Sequence, residues 1–202
     1  MSTPTDRYDK HTALVVVDVQ NDFADPDGGL YVQGGEEVVP VINEEIAAAR
    51  AAGAFVVYTQ DWHPETTPHF AKDGGTWPVH CVADTWGAQL HPALDVDEDA
   101  PIVRKGVDGG DGYSGFSVRD PVSGEESATE LGSHLEAAGV EHVVVTGLAG
   151  DVCVKATALD ARQLGYEVEL PLATTRMVEL EPGDGAAARE ELGAAGVHLV
   201  ER

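Results

Sequence analysis

Hydrophobic residues along this chain fall in short unbroken runs, separated by longer stretches in which apolar positions recur at helical spacing. The runs are TALVVVD (12–18), AFVVYT (54–59), PIVRKG (101–106), HVVVTG (142–147), YEVELPL (166–172) and VHLVE (197–201). They are rich in β-branched residues and too short for helices, as strands buried on both faces of a parallel sheet are. The intervening segments 38–53, 127–139, 151–165 and 183–196 have helical spacing, and Gly53 supplies a stop for the first of them. Ser127, with Glu130 three residues on, predicts a capping box at the start of the second helix. Alternating strand and helix predicts an α/β fold: a doubly wound, mainly parallel six-stranded sheet with helices on both faces. Neither repeat nor linker interrupts the pattern, so residues 1–202 are expected to form one domain, with 1–11 a loosely ordered N-terminal segment.

Two stretches resist this pattern. Residues 60–100 lack convincing periodicity but hold DWHPETTPHF and TWPVHC, and the segment after Lys105 is a glycine-rich loop, VDGGDGYSGFSVRDPVSG. Loops this long in a compact domain are usually functional.

Charge narrows the choice of partners. Twelve basic residues face 36 acidic ones, a net charge of −24, so nucleic acid and anionic membranes are excluded as partners. The acidic stretches at 94–100 and 124–126 read as solvated faces. Because the acids are spread along apolar-patterned segments, adaptation to a salt-rich cytosol explains them better than disorder does. The melting temperature is then expected to rise steeply with potassium chloride up to molar concentrations, as screening relieves repulsion. An unchanged melting temperature between low and molar salt would remove that reading. No apolar run approaches the roughly 20 residues of a membrane span, and the N-terminus lacks the apolar core of a signal peptide. A cytoplasmic location is expected, where two cysteines, Cys81 and Cys153, point to catalysis or metal binding rather than to a disulfide framework.

The strand reading places three reactive side chains at the carboxyl edge of the sheet, where ligands of open α/β sheets bind. Asp18 ends the first strand, Lys105 ends the third, and Cys153 opens the helix after the fourth. At a helix start the unpaired N–H groups and the dipole favour a thiolate, which suits a nucleophile. A cysteine nucleophile needs a base, and Asp18 can serve; Lys105 would favour its ionised form and orient it. His134 and His142 are the other bases that could fold nearby. The plainer alternatives are a buried structural cysteine and a structural Asp–Lys pair.

A second cluster is Asp61-Trp62-His63, directly after the second strand, followed by His80. In extended chain the i, i+2 pair points to one face, and a carboxylate with two imidazoles suits a divalent metal such as zinc. His69 is a weaker candidate as ligand or outer partner, and Cys81 more plausibly packs. No GK[ST] phosphate loop and no dinucleotide fingerprint is present.

Taken together, DVQNDF (18–23), DWHP (61–64), HF (69–70), TWPVHC (76–81), the lysine of RKG, YSGF (113–116) and GLAGDVCVKATALDA (147–161) resemble the nicotinamidase/pyrazinamidase group of isochorismatase-like cysteine hydrolases. The resemblance runs from about Thr12 to Leu172, with the motifs in the same order. It implies a catalytic triad of Asp18, Lys105 and Cys153, and a cis peptide matching Leu148–Ala149. The oxyanion hole would be the backbone N–H groups of Ala149 and Cys153. Phe23 and Trp77, and more loosely Tyr113, match residues that sandwich the substrate ring. One divalent metal ion, zinc first with manganese or iron as alternatives, would bind Asp61, His63 and His80 and grip the ring nitrogen. The implied reaction hydrolyses nicotinamide to nicotinate and ammonia through a thioester. Rivals are another cysteine amidase of the superfamily and a non-catalytic metabolite-binding protein of this fold; a homo-oligomer is possible. The family often has threonine or serine where this chain has Gly150, a difference that bears on local loop packing.

Overall fold

The computed structural model describes residues 7–201. Its strands are β1 (Thr12–Val17), β2 (Phe55–Asp61), β3 (Ile102–Lys105), β4 (Ser117–Arg119), β5 (Glu126–Ala128), β6 (His142–Leu148), β7 (Glu167–Pro171), β8 (Thr175–Arg176) and β9 (His198–Val200). The helices are α1 (Asn21–Ala24), α2 (Gly35–Ala52), α3 (Leu131–Ala137), α4 (Cys153–Gln163) and α5 (Asp184–Ala194).

The main sheet runs β3-β2-β1-β6-β7-β9, with β8 beside the end of β6, which makes seven strands among the described residues. All its pairings are parallel. Six of these strands match the apolar runs; the seventh, two-residue β8 is too short to leave a hydrophobic signature. Because successive side chains alternate between faces, β1 feeds two cores at once. Leu14 and Val16 pack with Ile42 and Ile46 of α2 on one face. Ala13, Val15 and Val17 pack with Leu131, Leu135 and Val154 on the other. Each fully buried Ile or Leu here contributes about 1.5–3 kcal/mol.

Three local expectations change. Ser127 lies in β5, which pairs with β4 as an antiparallel hairpin, so there is no capping box. Instead α3 starts at Leu131, whose N–H donates to Thr129 Oγ1 at 3.2 Å. Helix α2 begins at Gly35, three residues earlier than the apolar spacing of 38–53 indicates, and is still capped by Gly53, whose φ of +73° suits the left-handed cap. Residues 7 and 8 are not loose. Tyr8 Oη donates to Glu45 Oε2 at 2.7 Å, and the buried Arg7 guanidinium binds Glu45 and Glu169. Residues 1–6 lie outside the described part.

The chain order sets the site. From β1 the sheet grows outward through β2 and β3, then restarts at β6 on the other side of β1 and grows the opposite way. The β1–β6 boundary is thus the switch point at which a crevice opens beyond the strand carboxyl ends. Among the described residues, no helix is long and apolar enough to cross a membrane.

Candidate active site and metal centre

Asp18 is the first residue past β1, and a φ of +49° turns its side chain off the strand line. A non-glycine residue in that region stores backbone strain, as residues at functional sites often do. Its carboxylate is fully buried. Oδ1 accepts from Thr59 Oγ1 at 2.6 Å and Oδ2 from Lys105 Nζ at 2.6 Å. Lys105, the last residue of β3 and also fully buried, reaches Asp61 Oδ1 at 2.9 Å and donates to the Gly112 carbonyl. One ammonium therefore sits between two carboxylates.

Cys153 is the first residue of α4. Its Sγ, one Asp18 oxygen and one Asp61 oxygen lie within 4.8 Å of one another. The turn ahead of it is held by close backbone packing. Gly147 has a φ of +113°, and a Cβ there would stand 1.9 Å from the Val17 carbonyl oxygen. The Leu148–Ala149 peptide is cis. The Ala149 carbonyl accepts the N–H groups of Val152 and Val154, while the N–H groups of Ala149 and Cys153 have no acceptor among the described backbone contacts outside helices and strands. Thr157, one turn into α4, accepts the Gly115 N–H at 2.9 Å and donates to the Cys153 carbonyl at 2.7 Å. His142 begins β6 at the opposite edge of the sheet, and neither it nor His134 lines the pocket.

The electrostatics correct one sequence expectation. Burial pushes the Cys153 thiol well above its usual range, and the pull of Lys105 does not offset burial plus two carboxylates. The helix start does not make a resting thiolate. Burial also raises the Asp18 carboxyl, to about 6, against the opposing ammonium. Asp61, although buried, is held well below the usual carboxylate range by Lys105 and the neighbouring imidazoles. Lys105 is raised well above its ordinary value by the two carboxylates despite burial, so it stays charged. At neutral pH the pair is a thiol beside a carboxylate, ready for proton transfer.

Asp61 ends β2, and its Oδ2 lies 3.8 Å from His63 Nε2 and 3.9 Å from His80 Nε2. His80 Nδ1 contacts the Pro78 carbonyl at 2.7 Å, which makes Nδ1 the donor and leaves Nε2 as a free base toward Asp61. Burial lowers His80 to about 4, so the ring is neutral. His63 is fully buried, and neither of its ring nitrogens has a hydrogen-bond partner. Such a pair of orphaned atoms is costly unless something else binds them. His69, only a weak candidate in the sequence, stacks on His63 with ring centroids 4.6 Å apart. Its Nδ1 contacts Asp111 Oδ1 at 2.6 Å. One nitrogen from each of His63, His69 and His80 lies within a common 4.8 Å. Two carboxylates and one ammonium leave the centre net negative, and three imidazoles face it. This donor set fits a divalent cation.

The space over these groups, open mouth included, is about 410 Å³. Phe23, Trp77 and Tyr113 all line it, with Asp61, His80 and Cys153. Trp77 Nε1 donates to Tyr113 Oη at 2.9 Å, fixing both rings.

Several supporting residues escaped the sequence reading. Gln20 is fully buried and behaves like an added strand beside Asp61. Its Oε1 accepts the Asp61 N–H at 2.8 Å, and its Nε2 donates to the Asp61 carbonyl at 2.7 Å. Asp22 accepts the Gly29 and Cys81 N–H groups at 2.8 and 2.6 Å, tying two loops to α1. Thr59 and Asp111 bind Asp18 and His69 as described. The available signal was the density of polar residues in DVQNDF, directly after a strand buried on both faces.

A buried thiol, a buried carboxylate and the lysine paired with it lie together at the switch-point crevice. Residues 12–174 match the isochorismatase domain, and the chain belongs to the isochorismatase-like hydrolase family. It is 38% identical to the nicotinamidase of Escherichia coli, over 93% of each chain. Its fold matches the crystal structure of the pyrazinamidase of Pyrococcus horikoshii in complex with zinc, with a TM-score of 0.84 at 38% identity, over 95% of this chain and 99% of that one. It also matches PnC1 of L. infantum in complex with nicotinate, with a TM-score of 0.86 at 38% identity, over 95% of this chain and 92% of that one. The departure at Gly150 has a local counterpart: a Cβ there would meet Met177 Sδ at 2.6 Å and Thr175 Oγ1 at 2.9 Å, so these side chains occupy the space a larger residue would need.

Proposed function

We propose that the protein is a metal-dependent cysteine amidase that hydrolyses nicotinamide to nicotinate and ammonia, with the related pyrazinamide as a further substrate. The observation that carries this is that Asp61 joins the two groups: it pairs with Lys105, which also binds Asp18 near Cys153, it faces His63 and His80, and with His80 and Cys153 it lines one aromatic pocket. The relatives named above, with nicotinamidase, zinc and nicotinate among their descriptions, support it.

Asp18 takes the Cys153 proton as Sγ attacks the carboxamide carbon, forming the C–S bond. The oxyanion accepts hydrogen bonds from the N–H groups of Ala149 and Cys153. Collapse breaks the C–N bond, and the Asp18 carboxyl returns the proton to the departing ammonia. A water then attacks the thioester with Asp18 again as base, and the C–S bond breaks to release nicotinate and the thiol. Lys105 donates no proton; it holds Asp18 in line and keeps it ionised near neutral pH. Phe23, Trp77 and Tyr113 confine the ring, so that the carboxamide meets the thiol in a reactive orientation.

Asp61, His63 and His80 would hold the ion, with His69 beside them. A divalent ion there, zinc first and manganese or iron as alternatives, supplies a Lewis acid for the ring nitrogen. Gly106 serves this cluster: its φ is +76°, and a Cβ would stand 2.6 Å from His63 Cε1 and Nδ1. Gly106→Ala is expected to cost about 1–2 kcal/mol from the backbone alone and to weaken zinc binding about 10–100-fold by displacing His63. Competition titration with a chromogenic chelator checks this, and unchanged zinc affinity would refute it.

Ammonia release from nicotinamide tests the function, with a ureido amide as the comparison substrate. Faster release from the ureido amide would transfer the protein to another branch of the superfamily. Benzamide keeps the carboxamide and lacks the ring nitrogen. The zinc-loaded enzyme should therefore hydrolyse it far more slowly, and chelation should raise KM for nicotinamide more than it lowers kcat. Equal rates on the two amides would show that the metal does not anchor the ring. We also infer a salt-rich setting from the charge balance.

A further inference from the structure

Asp151 lies between the two N–H groups assigned to the oxyanion hole and two residues before the nucleophile, yet the reaction above does not use it. Both its oxygens face a different segment. Oδ1 accepts the Val178 N–H at 2.9 Å, and Oδ2 accepts the Glu179 N–H at 2.8 Å. Glu179 has a φ of +50°, so the chain turns sharply where the carboxylate grips it. The same segment is stitched to the nucleophile turn at other points. Gly150 N–H donates to the Arg176 carbonyl at 2.8 Å, β8 pairs with the end of β6 at Gly147–Thr175 and Leu148–Arg176, and Met177 fills the space over Gly150. Val178, the residue gripped through its own N–H, lines the substrate pocket together with Leu30 and Val32.

We infer that Asp151 is a positioning residue for substrate affinity: by clamping 178–179 to the nucleophile turn it sets Val178 as a fixed apolar wall of the pocket. This rests on the nicotinamidase reading above. A charged carboxylate accepting two backbone N–H groups makes strong, directional bonds, and its negative charge is spent on those donors rather than on the thiol. The alternative role, an electrostatic influence on Cys153, would act on the chemical step instead.

The two roles separate in kinetics. Asp151→Asn keeps the shape but turns an amide NH2 toward a backbone N–H, losing at least one bond. KM for nicotinamide is expected to rise about tenfold with kcat within about twofold. The pH dependence of Cys153 alkylation by iodoacetamide, followed on the Cys153 peptide, is expected to stay unchanged. Val178→Ala should raise KM in the same way, and the double variant should be little worse than the poorer single, since both act through one wall. A fall in kcat at constant KM, a shifted alkylation profile, or multiplicative effects in the double variant would overturn the inference. Should Asp151→Asn fail to fold, Val178→Ala decides alone, and an unmoved KM overturns it. A wild-type protein inert toward nicotinamide would instead sink the functional reading, so the two failures are distinguishable.

Discussion

Cys153→Ala is expected to lose about 10⁴-fold or more in amide hydrolysis while the protein stays folded. The side chain is small and 7% exposed at the head of α4, packed among Val154, Ala158 and their neighbours. Removing one sulfur from that position costs about 1 kcal/mol, a melting shift of roughly 2–4 °C for a chain of this size. Cys81→Ala is the matched control. Cys81 is fully buried, and it is its backbone N–H, not its thiol, that binds Asp22, so activity should be largely kept. Ammonia release and thermal melting on the two variants check this. Equal losses, or an active Cys153→Ala, would remove the nucleophile assignment.

Asp18→Asn is expected to be nearly as damaging, because no other group replaces its proton chemistry. Thr59 and Lys105 fix its carboxylate, and an amide in the same place can neither take the thiol proton nor return it. Residues that act as one unit are non-additive, so Asp18→Asn with Cys153→Ala should be little slower than either alone; fully multiplicative losses would place Asp18 outside the thiol chemistry. The wild-type pH profile carries the same signature. The base must be ionised, and burial raises this carboxyl to about 6. Hence kcat/KM should fall as pH drops below about 6 and level off above it, approaching tenfold per pH unit on the acid side. Asp18→Asn should lose that limb. A profile flat from pH 5 to 7 would contradict the role.

What was legible in the sequence follows from how far each signal acts. Runs such as 12–18 and 142–147 are buried on both faces, and that alone makes them continuous and apolar. The residues just past their ends could therefore be placed at one sheet edge before any coordinates. Asp61 and His63 were readable because two positions in extended chain share a face. Ser127 misled, because a serine three residues before a glutamate fits a capping box and an exposed hairpin strand equally; the pairing of β5 with β4 decides, and short exposed strands leave little apolar pattern. The partners of Gln20 and Thr59 were hidden for another reason. Gln20 binds the backbone of Asp61, and Thr59 the carboxylate of Asp18, each across 41 positions, contacts that only the assembled sheet creates. The thiol's state was misjudged because helix-start electrostatics can be read locally, whereas its burial between two carboxylates depends on the whole switch-point crevice.

The covalent step is the centre of the account, and trapping tests it most directly. Hydroxylamine added during turnover of nicotinamide by the zinc-loaded enzyme should divert a thioester on Cys153 to the hydroxamate. Nicotinate should fall in proportion, while ammonia release does not slow. Cys153→Ala should form no hydroxamate. Undiminished nicotinate with no hydroxamate at any hydroxylamine concentration would mean that water attacks the amide directly, and that Cys153 is not the nucleophile.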